Sequence, residues 1–259
     1  TFTGDDSSLT ASINASVLEY LRSTGVLILP RIANLDSLDR WSGASLSDYL
    51  SKPENRTSLS RAIVDALEKH RFPGVNLDFE ELRVGARADY TAFVTELSGL
   101  LRARQLTLTI DVPLKQEAYD YQALGAAADA LVVMAYDEHN AKGDAGPVAS
   151  EEWFQAGIER ILREVPREKV IVSLGQYAYD WNLTTRTSES LGYGDALERA
   201  QQIDVRPTFD AASRNSRFTY ADGRGDQHDV WLLDALSLWN QLRFLADQKV
   251  RGVSLWRLG

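Results

Sequence analysis

The sequence predicts an α/β fold: parallel strands joined by helices and arranged as a barrel. Three observations carry that prediction. Short β-rich apolar runs alternate with segments of helical apolar spacing along most of the 259 residues. Nearly every strand run ends in polar or aromatic residues, namely Asn34; Asp78 and Glu80; Asp111; Tyr136 and Asp137; Gln176 and Tyr177; Trp256. The length suits one α/β barrel, a fold that commonly forms a single domain of this size.

The elements follow in order. "GVLILPRIAN" (25–34) is the first β-rich run, and "TSLSRAIVDALEKHRF" (57–72) has helical apolar spacing. The strand "GVNLDF" (74–79) comes next, then the helix "ADYTAFVTELSGLLRARQ" (88–105) and the strand "LTLTIDVPL" (106–114). A helix near 121–130 leads into "LVVMAYDEH" (131–139). Ser150 fits an N-cap for "EEWFQAGIERILREV", whose first-turn acids suit the helix dipole. "KVIVSLGQYAYDW" (169–181) reads as one strand run, followed by an irregular excursion over 182–230. That excursion should hold a small hairpin, "RFTYADGRGDQHDVWLL", turning at Asp222-Gly223. The helix "LLDALSLWNQLRFLADQ" (232–248) and the strand "GVSLWRLG" complete the chain. Strand–helix alternation at this spacing calls for right-handed crossovers between parallel strands. No repeat, low-complexity tract or Pro/Gly-rich linker interrupts it, so residues 1–259 are expected to form one domain.

Composition narrows the function classes. A net charge of −9 makes nucleic acid and anionic membrane poor partners. No apolar run approaches the roughly 18 residues of a spanning helix, and "TFTGDDSSLT" does not read as a signal peptide. The absence of cysteine excludes disulfides, thiolate zinc sites and a cysteine nucleophile. His70, His139 and His228 lie far apart without helical metal-ligand spacing, so neither a metal nor a cofactor is expected.

The most informative stretch is "FPGVNLDFEEL" (72–82), a buried-strand pattern ending in three acids. Alternation puts Asn76, Asp78 and Glu80 on one face and Glu81 on the other. In a parallel α/β fold the C-terminal strand ends converge on the face where sites are built. Strand ends are also polar simply because they meet solvent, and a lone acid there is ordinarily structural. Three polar side chains on one inner face are costlier, unless they bond one another or a ligand. Close carboxylates also push one pKa upward, which keeps a carboxyl protonated for general acid work.

Several of these stretches resemble glycoside hydrolase family 18, the chitinase-like enzymes. "GVNLDFE" is similar to the family's fourth-strand D-G-x-D-x-D-x-E signature and "MAYD" (134–137) to its sixth-strand M-x-Y-D. "YAYDW" (177–181) resembles the Y-G-Y-D-W of its spore- and peptidoglycan-lytic branch, and "GVSLWRLG" its last strand. "HDVWLLDALSLWNQLR" resembles the hydrolase-like domain that some bacteria fuse to a polysaccharide deacetylase and a membrane glycosyltransferase. The resemblance implies a TIM (β/α)8-type barrel, with the six strand runs matching strands three to eight. Either upstream sequence supplies the first two strands, or the residues around "TFTGDDSSLT" close the barrel. The excursion then becomes an insertion between strands seven and eight.

The resemblance also implies a mechanism. The family is substrate-assisted: the acetamido oxygen of the sugar attacks its own anomeric carbon while an enzyme acid protonates the leaving oxygen. Glu80 matches the general acid/base, Asp78 the carboxylate that orients the acetamide, and Tyr136 the hydroxyl that bonds the acetamide oxygen. Asp137 matches a sugar-hydroxyl ligand, and Met134 and Trp256 the floor and wall of the cleft, with Gln176 and Tyr177 as further substrate contacts. Pro73 and Asn76 stand where the motif has its first two acids. Pro73 falls at the start of the strand and costs little. Asn76 cannot share a proton; it is expected to hydrogen-bond Asp78 and leave it ionised, and by its place in the motif it is counted with the substrate-binding residues.

The implied function is hydrolysis of a β-linked, N-acetylglucosamine-containing bacterial polysaccharide, outside the cytoplasm or in the cell envelope. Its alternative is a non-catalytic carbohydrate-binding barrel that guides an exopolysaccharide made by an attached synthase. The narrower resemblance implies tethering to a deacetylase or membrane glycosyltransferase.

Overall fold

The computed structural model describes residue 9 and residues 14–36 and 38–256. "TFTGDDSSLT", one expected route to closing a barrel, therefore lies outside the described residues except for Leu9. The chain forms two compact units, Thr1–Val132 and Val133–Gly259.

In the first unit, helix α1 (Ala15–Ser23) is capped by Asn14, whose side chain accepts from the amides of Ser16 and Val17. Strand β1 (Arg31–Ala33) is shorter than the 25–34 run. Helix α2 (Gly43–Leu50) carried no periodic signal long enough to read from sequence. Helix α3 (Pro53–His70) begins with proline in its first turn and ends at Arg71 in the left-handed region. Strand β2 (Gly74–Asp78), helix α4 (Arg87–Arg102), strand β3 (Thr107–Pro113), helix α5 (Tyr121–Ala127) and strand β4 (Ala130–Met134) follow. β1, β2 and β3 pair in parallel, in register from Arg31 opposite Asn76 and Gly74 opposite Thr107. The Asp129 amide donates to the Leu108 carbonyl and leads β4 in beside β3.

Alternation sorts β2 as the sequence required. Val75, Leu77 and Phe79 are fully buried, and Phe79 stacks on Phe93 of α4 at 6.0 Å and lies against Tyr90 at 6.2 Å. α4 buries Tyr90, Phe93, Val94, Leu97 and Leu101, the spacing of one helical face. Each such side chain contributes about 1.5–3 kcal/mol, which anchors β2 and leaves its other face to polar residues.

In the second unit, the last residues of β4 precede helix α6 (Glu151–Glu164) and strand β5 (Val170–Gly175). Ser150 is the N-cap of α6, but its hydroxyl donates to Glu138 rather than capping the helix. The run 169–181 is not one strand. It breaks at Gln176, and strand β6 (Tyr177–Asn182) starts a separate sheet with β7 (Thr187–Gly192), β8 (Thr208–Phe209), β9 (Ser216–Ala221) and β10 (Gln227–Leu232). This antiparallel sheet has the order β7-β6-β10-β9-β8, with helix α7 (Tyr193–Gln202) after β7. The antiparallel sheet begins at Tyr177, ahead of the excursion expected over 182–230. The expected hairpin is present as β9–β10, with its turn closed by the Gly225 amide on the Asp222 carbonyl, one residue beyond the expected centre.

Helix α8 (Ala235–Gln248) leads to strand β11 (Gly252–Trp256), which pairs in parallel with β5 from Gly252 opposite Ile171 to Trp256 opposite Gly175. All six expected parallel strands therefore form. β1 and β11 each have one named strand beside them, β2 and β5 respectively. No residue of β11 is buried, and Val253 and Leu255 are nearly half exposed.

Candidate active site

The backbone leaving β2 is held from several sides. Asn34, fully buried just past β1, accepts from the Glu80 amide at 2.8 Å and donates to the Glu80 carbonyl at 2.9 Å. The Tyr119 hydroxyl donates to the Phe79 carbonyl at 2.6 Å. Glu81 turns the chain through the left-handed region, φ 56°. The first residue of α2 lies against this turn, where a Cβ on Gly43 would sit 2.0 Å from the Glu81 carbonyl oxygen. Only glycine permits that approach. Asn34 was legible as a polar strand end; its role as a clamp, like that of Tyr119, was not.

Asp78 is buried, and its Oδ2 pairs with Arg31 of β1 at 2.9 Å. Burial pushes its carboxyl above the ordinary range, while the Arg31 guanidinium and hydrogen bonding with the Glu80 carboxyl pull it back. A hydrogen bond between two carboxyls needs one proton between them. The buried Asp78 Oδ1 has no hydrogen-bond partner.

Asn76 does not hold Asp78. Its Nδ2 donates to Asp111 Oδ2 at 2.7 Å, and its Oδ1 accepts from the Thr109 hydroxyl at 2.7 Å. Both ends of the Asn76 amide are taken by side chains of the neighbouring strand β3, so neither is turned along β2 to Asp78. The twist between neighbouring strands brings one diagonal neighbour closer. The expected amide bond is replaced by an ion pair from Arg31, which the sequence did not flag. Burial and the Asp78 charge push the Asp111 carboxyl up to about 7, against the opposing effects of Asn76 and Arg31.

The second unit gathers its own set. Tyr177 is buried and packs edge-on against Tyr136 at 5.8 Å and Tyr179 at 5.5 Å. Tyr177 and Tyr179 both donate to Asp137, Tyr179 at 3.0 Å. Asp137 itself is exposed and sits at positive φ, 67°. A Cβ on Gly175 would lie 2.8 Å from the Tyr177 ring and 3.3 Å from the Tyr136 Cβ, so glycine at the end of β5 admits both rings. The Gln176 amide donates to the Trp256 carbonyl at 2.8 Å, and Trp256 is 42% exposed. Met134 is half-buried at the end of β4. Tyr136, Asp137 and Tyr177 thus form one cluster, and Gln176 and Trp256 meet at the ends of β5 and β11. The candidate residue the sequence passed over is Tyr179, whose hydroxyl serves the same carboxylate. Among the described residues no cluster of three metal-ligating side chains occurs.

A parallel α/β chain with two neighbouring carboxyls at a strand's C-terminal end carries its acids where such folds build sites, and paired carboxyls are the groups that glycoside hydrolysis ordinarily uses. Residues 30–259 match the family described as Glycosyl hydrolases family 18, and the chain belongs to that family. It is 29% identical over 255 residues to YdhD of Bacillus subtilis (strain 168), whose name gives it as a candidate sporulation-specific glycosylase. That match covers 95% of this chain and 60% of YdhD. It is 25% identical over 265 residues to the cortical fragment-lytic enzyme of the same organism, covering 91% of this chain and 62% of the relative. The chain therefore spans about three-fifths of the length of these two relatives. A crystal structure of YdhD superposes with a TM-score of 0.91 at 28% identity, over 99% of this chain and 87% of that one. A chitinase from Chromobacterium violaceum ATCC 12472 superposes with a TM-score of 0.87 at 27% identity, over 94% and 79%. The architecture is of the TIM-barrel type.

Proposed function

We propose that the chain is a substrate-assisted retaining glycosidase acting on a β-linked bacterial polysaccharide that contains N-acetylglucosamine. The observation that carries this reading is the Asp78–Glu80 pair, with Glu80 backbone-clamped by Asn34 and Asp78 charge-paired to Arg31. Glu80 protonates the leaving oxygen and then activates water. Asp78 orients the acetamide and stabilises the positive charge that develops on it. No second carboxylate is needed as nucleophile. In the second unit, Tyr136 is assigned the acetamide oxygen, Asp137 a sugar hydroxyl, and Trp256 a flat apolar face for a pyranose, with Met134, Gln176 and Tyr177 as neighbouring contacts. Asn76 acts within the protein, since both ends of its amide are engaged there. Names such as cortical fragment-lytic enzyme and chitinase among the relatives support a polymer of this class, and with it action outside the cytoplasm.

Glu80→Gln tests the reading. Glutamine keeps shape and hydrogen bonding but has no proton to transfer, so reducing-end release should fall about 100-fold or more. Binding of an acetylated oligosaccharide should survive. Near-wild-type turnover would remove Glu80 from the mechanism. Sugar binding without hydrolysis by the wild type would identify a carbohydrate-binding barrel instead.

A further inference from the structure

We propose that Asp111 and Asp78 form a cross-strand carboxyl pair in which Asp111, fixed by Asn76, is the member that holds the proton. Asp111 is then a positioning residue that sets the charge beside Glu80 without touching substrate. The inference rests on the glycosidase reading for its consequence, but not for its geometry.

Register supplies the first argument. Asn76 lies opposite Thr109 and Leu77 opposite Ile110. One further step puts Asp78 beside Asp111, on strands about 4.8 Å apart. Two carboxylates so placed cannot both ionise freely. The second argument is the division of partners. Asp78 takes the cation, Arg31, at 2.9 Å. Asp111 takes only a neutral amide, Asn76 Nδ2. The Thr109 hydroxyl donates to the other end of that amide and so fixes which end faces Asp111. Asp111 Oδ2 is therefore the acceptor, and its second oxygen is left to carry a proton.

The surroundings agree. Arg31 faces the pair from β1, the buried Tyr90 phenol from α4, and Glu80 and Tyr119 from the loops beyond β2 and β3. Arg31 is the one cation in that set, and its bond goes to Asp78. The position of the Asp111 carboxyl near neutrality, at about 7, follows from burial and the Asp78 charge. As pH rises through that value, the pair passes from one negative charge to two. A second negative charge makes Glu80 hold its proton more tightly, which extends general acid function toward alkaline pH.

The test is carboxyl-carbon NMR on protein labelled at aspartate, titrated in the wild type, Asp111→Asn and Asp78→Asn. The wild type should show an aspartate titrating near neutrality. That resonance should vanish in Asp111→Asn and move to lower pH in Asp78→Asn, because the charge that raises it is gone. In the pH–rate profile on an acetylated polymer, Asp111→Asn should shift the alkaline limb to lower pH. A purely structural Asp111 would leave that limb in place. A neutral-range resonance that persists in Asp111→Asn, or that Asp78→Asn leaves unmoved, overturns the proposal. If the wild type cleaves no acetylated polymer, the glycosidase reading fails while the titration still decides the carboxyl pair.

Discussion

Two buried acids, Asp78 at the end of β2 and Asp180 in the inserted sheet, show that equal burial can go with opposite supplies of partners. Both are almost fully enclosed. Asp180 receives Arg199 at 2.6 Å, Tyr220 at 2.6 Å and His228 Nδ1 at 2.6 Å, and His228 stacks on the Tyr220 ring at 4.4 Å. Its oxygens are saturated by neighbours from α7, β9 and β10. Asp78 has one cation, one oxygen lacking a donor, and a second acid beside it. A saturated carboxylate fastens elements together. An undersupplied one stores unfavourable electrostatics that only a proton or a ligand relieves.

The comparison predicts different losses. Asp180→Ala strips three donors of their acceptor and should cost about 3 kcal/mol in a denaturant titration. That value is the low end for a buried pair, because Arg199 keeps solvent contact. Catalysis per folded molecule should be unchanged. If stability holds and catalysis falls, the roles of the two acids have been assigned the wrong way round.

Asn34→Ala comes next. It leaves the Glu80 amide and carbonyl without their side-chain partner, at about 2 kcal/mol in stability. It also frees the backbone that aims Glu80, so kcat should fall about 10- to 100-fold. Unaltered kcat would mean that β2 aims Glu80 without help from β1.

The smallest effect is pH-dependent. The folded state holds the Asp111 proton up to about 7, whereas the unfolded carboxyl ionises near 3.8. Folding takes up a proton between these values, so wild-type stability should fall as pH rises from about 4 to 7 and then level off. Asp111→Asn removes that slope. Its gain over wild type should be absent at pH ~4 and on the order of 1–2 kcal/mol at pH ~8, after allowing for the residue's partial exposure. An equal offset at both pH values would deny the shift.

How much of this was legible follows from range. The alternation of β2, the acids at its end and the aromatic ends of β4 and β5 are local patterns, and all were readable. Arg31 lies 47 positions before Asp78, and only the parallel register of β1 with β2 brings them together. Asp111 was visible as a polar strand end. Its link to Asn76 was hidden because register between parallel strands leaves no mark in sequence. β6 was hidden differently: no turn signal separates Gly175 from Tyr177, so two strands of different sheets read as one run. Asp180 stood in plain view within "YAYDW", but its saturation depends on residues 19 to 48 positions away.

On the proposed glycosidase reading, the ligand that relieves Asp78 is an acetamide. The most direct measurement compares reducing-end release from an N-acetylated glucosamine polymer with that from its fully deacetylated counterpart. Without the acetamide there is no internal nucleophile, and Asp78 has nothing to orient. Release from the acetylated polymer alone is the predicted result. Comparable cleavage of the deacetylated polymer would contradict it and require a nucleophile other than the substrate's own.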